Sequence, residues 1–374
     1  QGGGVGCIPD WNVRDVRPGI LSCHCKRHRL CVDGGNSFGA SRWLASGTAK
    51  LKTLMVKQKS SRNRNVAAAV LLLLAIVSWS QADLFGHELL AQIAILAIFA
   101  MSLDLIAGYT GLVSLGHAAF YGVGAYATAG LASVAGWPMW AVVPSAMLLS
   151  ALLAAAVGLF AVRLIGVFFI MITLAIGELV HAFAFRSRTF GGDDGLGGVP
   201  RSNLDAIGVN LLDPAHFSLF TVIIAVLVYL VLARVVDSPF GQVLTGIHQN
   251  ELRMRALGCP IRRYKLVAFI LSALFAGLAG SLTAQHNNFV SPELLTWTTS
   301  GEALIVVIIG GIGSLVGPVA GASVFVMLSH QLSSLTDYWM FFMGLFFVTV
   351  VLFAGDGFFG LFGRLFRMLS NVGR

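Results

Sequence analysis

The run EALIVVIIGGIGSLVGPVAG occupies residues 302–321 and decides the class of fold. After Glu302 it contains no charged residue, which is typical of a segment that lies inside a bilayer. Glycines recur through it, and Pro318 interrupts it further. The surrounding stretch 301–331 is too long for one simple span, so the sequence predicts a broken helix or two short helices there.

The composition extends this conclusion to the whole chain. Of 374 residues, 56% are hydrophobic and 11% are charged, whereas soluble domains carry roughly 25% charged residues. Apolar runs of about 20 residues, enough to cross about 30 Å of hydrocarbon, recur from Val66 onward. We therefore predict an all-α polytopic transmembrane bundle of about eight to ten spans. The predicted spans follow an initial apolar run, Val66–Val77, and cover residues 88–107, 113–134, 138–160, 164–185, 216–234, 265–285, 301–331 and 337–355.

The positive charge is distributed as in a membrane protein. The formal net charge is +8, and most Lys and Arg residues lie in the first 65 residues, in the segment 234–265 and in the C-terminal tail. This pattern is expected of cytoplasmic flanks, and nothing in it indicates a nucleic-acid partner. The segment 234–265 is therefore predicted to be cytoplasmic. The turn-rich segment 186–213 is predicted to lie on the other side.

The N-terminal segment has a different character from the rest. Four of the five cysteines lie within the first 31 residues, but the C-x-C spacing of Cys23 and Cys25 is not a standard zinc pattern. Residues 1–54 also lack a hydrophobic period. We interpret 1–54 as a disordered or upstream-translation segment and 55–374 as the membrane domain. No metal and no cofactor are predicted.

Several polar side chains fall within the apolar segments. Charged groups at membrane depth are costly and usually face a bundle interior or a cavity. The polar side chains therefore favour a polar wall along a translocation path. The alternative is that they cap helices or pair near a membrane interface. Glu178 and His181, for example, are three residues apart and can pair on one helical face. The residues predicted to line the path are Asp104, Tyr109, Thr110, Ser114, His117 and Glu178.

Small residues at four-residue spacing predict close helix packing. Gly122 follows Ala118 by four positions, and Gly313, Gly317 and Gly321 form a G-xxx-G-xxx-G pattern. Such residues allow helix backbones to approach each other in lipid. These four glycines are predicted helix-packing positions.

The segment from Asp237 to Gly258 is predicted to form short helices outside the bilayer. An amphipathic helix ending at Gly258 suits docking in a partner's groove, and equally suits a surface held by lipid headgroups. No G-xxxx-GK[ST] phosphate loop and no credible catalytic motif occur in the sequence. The chain is therefore predicted to be no enzyme, and any ATP hydrolysis is expected in a separate subunit.

Together these segments resemble the permease family of branched-chain amino-acid ABC transporters, in particular its LivM-like subunits. The resemblance spans most of the chain after Met55, in family order. It departs from the family at Phe353–Gly360, where relatives commonly show a Pro-Gly-Leu turn. The matching stretches are GYTGLVSLGHAAFYGVGAYA (108–127), GVFFIMITLAIGELV (166–180), GGDDGLGGVPR (191–201), DSPFGQVL (237–244), QNELRMRALG (249–258), RRYKLVAFILSALFAGLAGSL (262–282) and EALIVVIIGGIGSLVGPVAGA (302–322).

The resemblance implies a multi-pass permease of the cytoplasmic (inner) membrane. Its implied partners are a second homologous permease, two ATP-binding subunits and an external solute-binding protein. The family carries branched-chain amino acids, and relatives carry urea or short amides. A stand-alone secondary transporter or channel is the alternative function. The resemblance also implies a helix coupled to the ATPase, formed by Asn250, Glu251, Arg253, Arg255, Ala256, Leu257 and Gly258.

Overall fold

The computed structural model describes Trp79 and residues 83–187, 190–201 and 211–353, and this part of the chain is an all-α bundle, as predicted. A π-helical turn, Gly130–Val134, extends the second helix. The helices are α1 Leu84–Thr110, α2 His117–Ala129, α3 Met139–Ala161, α4 Val167–Arg186, α5 Pro214–Asp237, α6 Pro239–Gln249, α7 Glu251–Ala256, α8 Ile261–Asn287, α9 Trp297–Gly310, α10 Gly317–Leu335 and α11 Trp339–Phe353.

Five of the described helices are long and apolar enough to cross a membrane: α1, α3, α4, α5 and α8. Helices α9 and α11 are apolar but shorter. Most residues in the apolar windows of α1 and α8 are buried inside the bundle, whereas only about a fifth are buried in those of α4 and α5. A helix that is apolar and exposed must face lipid, so α1 and α8 form the centre and α4 and α5 lie at its periphery.

The Gly-rich stretch predicted to break is indeed two elements. Helix α9 ends at Gly310 and α10 begins at Gly317, and the two pack against each other. Gly313 lies in the turn between them with φ of 79°, a conformation that glycine adopts readily and other residues rarely do. Gly313 is therefore not on a helix, and the predicted G-xxx-G-xxx-G pattern is not one continuous helical stripe.

Close backbone contacts hold the central helices together. A Cβ on Gly124 of α2 would lie 2.6 Å from the Cα of Gly277 on α8, and one on Gly280 would lie 1.8 Å from the carbonyl oxygen of Tyr121. Of the predicted packing positions, Gly122 faces Leu295, and Gly317 and Gly321 face α9. In lipid, such small-residue contacts bring helices close enough for dispersion and weak hydrogen bonds to stabilise them.

The two ends of the bundle differ in charge. Helices α6 and α7 connect α5 to α8 and, with the first turn of α8, carry the arginines at positions 253, 255, 262 and 263. We call this the basic end. At the opposite end, a two-stranded antiparallel pairing joins Leu196–Gly197 (β1) to Phe289–Val290 (β2). Residues 190–201 and 287–290 therefore share the end remote from α6 and α7. The described part of the segment 186–213 thus lies at the end opposite the basic segment, as predicted.

Polar groups anchor the loop at that opposite end. Arg201 donates from Nε to the carbonyl oxygen of Gln285 at 3.2 Å and from Nη2 to that of His286 at 3.1 Å. Its guanidinium also lies 5.0 Å from the ring centre of Phe217. These contacts satisfy carbonyls at the end of α8, which have no partner within the helix. The predicted segment 1–54, the apolar run Val66–Val77 and the tail after Phe353 lie outside the described residues.

Candidate functional site

A cavity of about 500 Å³ opens at the end of the bundle opposite the basic end. It lies among α1, α2, α8, α9 and α10, and its rim includes the last residue of α8 and the first residue of α11. Its volume falls in the range typical of small-molecule sites. Its lining residues are Leu89, Gln92, Ile95, Leu96, Phe99, Tyr121, Thr283, His286, Asn287, Leu294, Thr299, Glu302, Phe325, Val326, Ser329, His330, Ser333 and Trp339.

The wall of the cavity has an apolar part and a polar part. Helices α1 and α10 supply the apolar side chains Ile95, Phe99 and Val326 among others, while α2, α8 and α9 supply Tyr121, Thr283 and Glu302. Glu302 is the one Asp or Glu among these lining residues, and none of them is Lys or Arg. The cavity therefore suits a ligand that is apolar on one side and polar or cationic on the other.

Hydrogen bonds fix the polar part. The hydroxyls of Tyr121 and Thr283 lie 2.6 Å apart, and the Thr283 hydroxyl donates to the carbonyl oxygen of Ala279 at 3.0 Å. Because the Thr283 hydrogen is used there, Tyr121 is the donor to Thr283, and its own oxygen keeps its acceptor capacity. On α9, Ser300 accepts from the backbone N–H of Ala118 at 2.8 Å, which fixes the start of that helix against α2.

A buried polar cluster lies directly beyond the cavity floor. The ring of Phe99 stacks on that of His117 with centroids 5.6 Å apart. Nε2 of His117 lies 3.0 Å from Oγ of Ser102 and 3.3 Å from Oγ of Ser272. Both serine hydroxyls donate elsewhere, Ser102 to the carbonyl of Phe99 and Ser272 to that of Ser102. His117 therefore carries its hydrogen on Nε2 and donates to the serines.

Farther along α1, Asp104 ties this helix to the turn between α9 and α10. Its Oδ1 accepts from the backbone N–H of Gly313 at 2.7 Å, and the residue is fully buried. Within the described residues, its second oxygen Oδ2 has no hydrogen-bond donor. A Cβ on Gly108 would lie 2.5 Å from the nitrogen of Gly313, so glycine is needed there for the turn to approach α1.

The next contact joins α1 to the basic end. Nδ1 of His248, the penultimate residue of α6, lies 2.9 Å from the carbonyl oxygen of Gly108. Helix α1 ends two residues later at Thr110, and Gly111 caps it with φ of 73°. From Phe99 at the cavity floor to Gly108 the helix rises about 13 Å. A continuous series of contacts along α1 thus connects the cavity to α6.

Helix α7 stands at the basic end with one face exposed. Oδ1 of Asn250 accepts from the N–H of Arg253 at 2.9 Å and so caps the helix. Glu251 binds both Arg255 at 3.1 Å and the buried Lys265 of α8 at 2.8 Å. Leu252 is 75% exposed and Leu257 61% exposed. The helix is therefore fixed to the bundle on one side and presents apolar and basic side chains on the other.

Comparison with known families assigns the chain to one of them. Residues 87–351 match the family described as branched-chain amino acid transport system / permease component. The chain belongs to this family. It is a multi-pass membrane permease, and its relatives are transport components.

The curated relatives agree with that assignment. The permease is 29% identical over 311 residues to the high-affinity branched-chain amino acid transport system permease protein LivM of Escherichia coli, covering 77% of this chain and 73% of the relative. The Salmonella typhimurium protein of the same name is 29% identical over 310 residues, with 76% and 73% covered. A probable LivM of Methanocaldococcus jannaschii is 27% identical over 115 residues, with 30% and 33% covered. No solved structure matches the chain significantly.

Most of the residues predicted to line a path in this permease are buried elsewhere in the bundle. Asp104, Ser114 and His117 are completely buried, and Thr110 donates to the carbonyl oxygen of Ile106 at 2.6 Å. None of the residues predicted for the path, which also include Tyr109 and Glu178, is among the residues that line the cavity. Glu178 instead lies on α4 with its Oε2 3.8 Å from Nδ1 of His181, the pairing predicted from their spacing.

The sequence prediction missed the cavity itself. Tyr121 and Thr283 are 162 residues apart, and no local pattern relates them. Glu302 did leave a signal, because it is the one charged residue in the apolar run 301–321. A single carboxylate in a transmembrane segment is a candidate functional residue, because placing a charge at membrane depth costs free energy.

Proposed function

We propose that this permease is the membrane subunit of an ATP-driven importer of branched-chain amino acids. Its basic end faces the cytoplasm, in keeping with the positive-inside rule, and its cavity opens to the exterior. It works with a second homologous permease, two ATP-binding subunits and an external solute-binding protein in the inner membrane. The names of its relatives supply the substrate class. Urea or a short amide is the alternative substrate.

The observation that carries the proposal is the exposed face of α7. Leu252 and Leu257 project apolar side chains into solvent at the basic end, next to the exposed Arg253 and Arg255. An amphipathic helix with apolar anchors is suited to a hydrophobic groove on a partner. The ion pair of Glu251 with Lys265 holds the helix to α8, so that a force on α7 is transmitted to the bundle.

The contacts along α1 give this force a path. Displacing α6 and α7 moves His248, which contacts Gly108, and Gly108 lies against the turn that Asp104 holds. Nucleotide-driven closure of the ATP-binding subunits biases the permease between two conformations by binding one of them better. Substrate delivered from outside is then released to the cytoplasm.

The decisive experiment reverses the charge of α7. The double variant Arg253→Glu and Arg255→Glu, assembled with its cognate subunits in proteoliposomes, is expected to lose at least about 90% of ATP-dependent leucine uptake, since opposed charges at an interface cost several kcal/mol. The matched control reverses Arg262 and Arg263, which are exposed on the first turn of α8. Normal uptake and normal ATPase binding by the α7 variant would contradict the proposal.

Two further measurements separate the alternatives. A cysteine introduced at the exposed Gln249, in a background without native cysteines, is expected to react with a membrane-impermeant thiol reagent only after the cells are opened. Labelling in intact cells would place the basic end outside. Solute flux by the purified chain alone, driven by an ion gradient without ATP, would favour a stand-alone transporter or channel.

A further inference from the structure

Glu302 is a carboxylate that lines the cavity of the bundle. Within the described ranges, it forms no ion pair and no hydrogen bond, and it points into the cavity between α1, α8 and α9. An ionisable group at membrane depth is costly and is retained where it pairs with another charge or lines a path for a charged solute. The missing counter-charge is therefore expected from the ligand.

The groups around Glu302 favour a cationic group of limited size. The Tyr121 oxygen, which keeps its acceptor capacity because its hydrogen goes to Thr283, lines the same part of the cavity. A carboxylate and a phenol oxygen are both acceptors, which matches an ammonium group with three donors. None of the described lining residues is Lys or Arg, so an anion without a positive charge of its own finds no ionic partner here.

Apart from Glu302 and Tyr121, the cavity wall offers groups that fit the side chain and the carboxylate of an amino acid. On α1 and α10, Ile95, Leu96, Phe99, Phe325 and Val326 form an apolar surface suited to an aliphatic side chain. Amide and imidazole groups at the rim, from Asn287, His286 and His330, supply hydrogen-bond donors for a carboxylate. The three parts together correspond to a zwitterion with an aliphatic side chain.

We propose that this cavity binds an aliphatic α-amino acid and that the Glu302 carboxylate accepts hydrogen bonds from its ammonium group. The inference rests on the proposed function, since it places the transported substrate in the permease itself. It assigns selection for the ammonium to α9 and selection for the side chain to α1 and α10. A mono-carboxylic acid with the same hydrocarbon chain is therefore a poor ligand.

The test compares three probes on two proteins. Equilibrium binding of leucine, leucinamide and 4-methylpentanoate is measured on the complex of the two permeases and the two ATP-binding subunits, without the solute-binding protein, with wild-type permease and with Glu302→Gln. Leucinamide keeps the ammonium, and 4-methylpentanoate lacks it. Because a charge-assisted hydrogen bond is lost, Glu302→Gln is expected to weaken leucine and leucinamide binding by about tenfold to a hundredfold. Binding of 4-methylpentanoate is expected to change by less than about threefold.

Controls exclude a general defect of the variant. Glu302→Asp keeps the charge and is expected to retain more leucine affinity than Glu302→Gln, while Asp337→Asn, an exposed carboxylate outside the cavity, is expected to bind all probes normally. Unchanged leucine binding by Glu302→Gln, or equal weakening of all three probes, overturns the inference. If the wild-type complex shows ATP-dependent leucine uptake in that case, only the inference fails. If the wild-type complex shows no such uptake, the proposed function fails as well.

Discussion

Nδ1 of His248 lies 2.9 Å from the carbonyl oxygen of Gly108. This contact joins α6, at the basic end, to the last turn of α1, four residues beyond Asp104. The carbonyl has no helical partner, because α1 ends at Thr110. The bond therefore completes the end of α1 and at the same time attaches it to the segment proposed to contact the ATPase.

Removing this bond is expected to weaken the coupling of ATP hydrolysis to uptake more than it weakens assembly of the permease with its partner subunits. His248→Ala loses a hydrogen bond worth about 0.5–1.5 kcal/mol, so uptake per ATP hydrolysed is expected to fall by about threefold to tenfold. His248→Asn, whose amide can donate from a similar position, is expected to recover part of the coupling. Uptake and ATPase rates are measured on the same proteoliposomes. The control is His216→Ala, a histidine at the opposite end that pairs with Asp213. An unchanged uptake-to-ATPase ratio in His248→Ala would contradict the assignment.

Asp104 is expected to support the turn between α9 and α10 through its side-chain oxygen. Asp104→Ala leaves the partly buried N–H of Gly313 without its acceptor, which is expected to cost about 1–3 kcal/mol of folding free energy. Asp104→Asn keeps an acceptor oxygen and is expected to cost less. Thermal unfolding of the purified permease in detergent measures both variants. The prediction fails if Asp104→Ala is as stable as the wild type, or if Asn is the worse replacement.

Gly280 is expected to tolerate no side chain. A Cβ at this position would lie 1.8 Å from the carbonyl oxygen of Tyr121, so Gly280→Ala must separate α8 from α2 and is expected to cost about 1–3 kcal/mol or more. The matched control is Gly344→Ala on α11, where a Cβ meets nothing within 4 Å. The control is expected to unfold at the wild-type temperature or slightly above it. Equal unfolding temperatures for both variants would show that the central helices are not this tightly packed.

The effects of mutating Glu251 and Lys265 on stability are expected to be coupled, because the two residues form an ion pair. Glu251→Gln leaves the buried Lys265 ammonium without its carboxylate and is expected to cost roughly 2–3 kcal/mol. Adding Lys265→Met removes the unpaired charge, so the double variant is expected to recover much of that loss. A double-mutant cycle on thermal stability measures the coupling between the two. Additive losses would mean that the pair does not hold α7 to α8.

Local features of the sequence were sufficient to predict that the chain forms helices and that these helices lie in a membrane. Low charge and long apolar runs require helices in lipid, because only a helix satisfies its own backbone hydrogen bonds within one segment. A break within residues 301–331 and short helices in the basic segment 234–265 were also predicted, since glycine, proline and arginine act through local backbone geometry and local charge. Membership of the permease family followed from several motifs in order and is confirmed by the match over residues 87–351.

The location of the cavity was decided only by the tertiary structure. The predicted path residues Asp104 and His117 pair with the backbone and with serines beneath the cavity, because a buried polar group without a hydrogen bond is costly. The cavity wall instead combines Tyr121, Thr283 and Glu302 from three helices. Their proximity depends on how closely α2, α8 and α9 pack, which in turn depends on glycine contacts such as that of Gly280 with Tyr121. Sequence periodicity records which residues are apolar, whereas the packing of one backbone on another sets which distant polar groups meet.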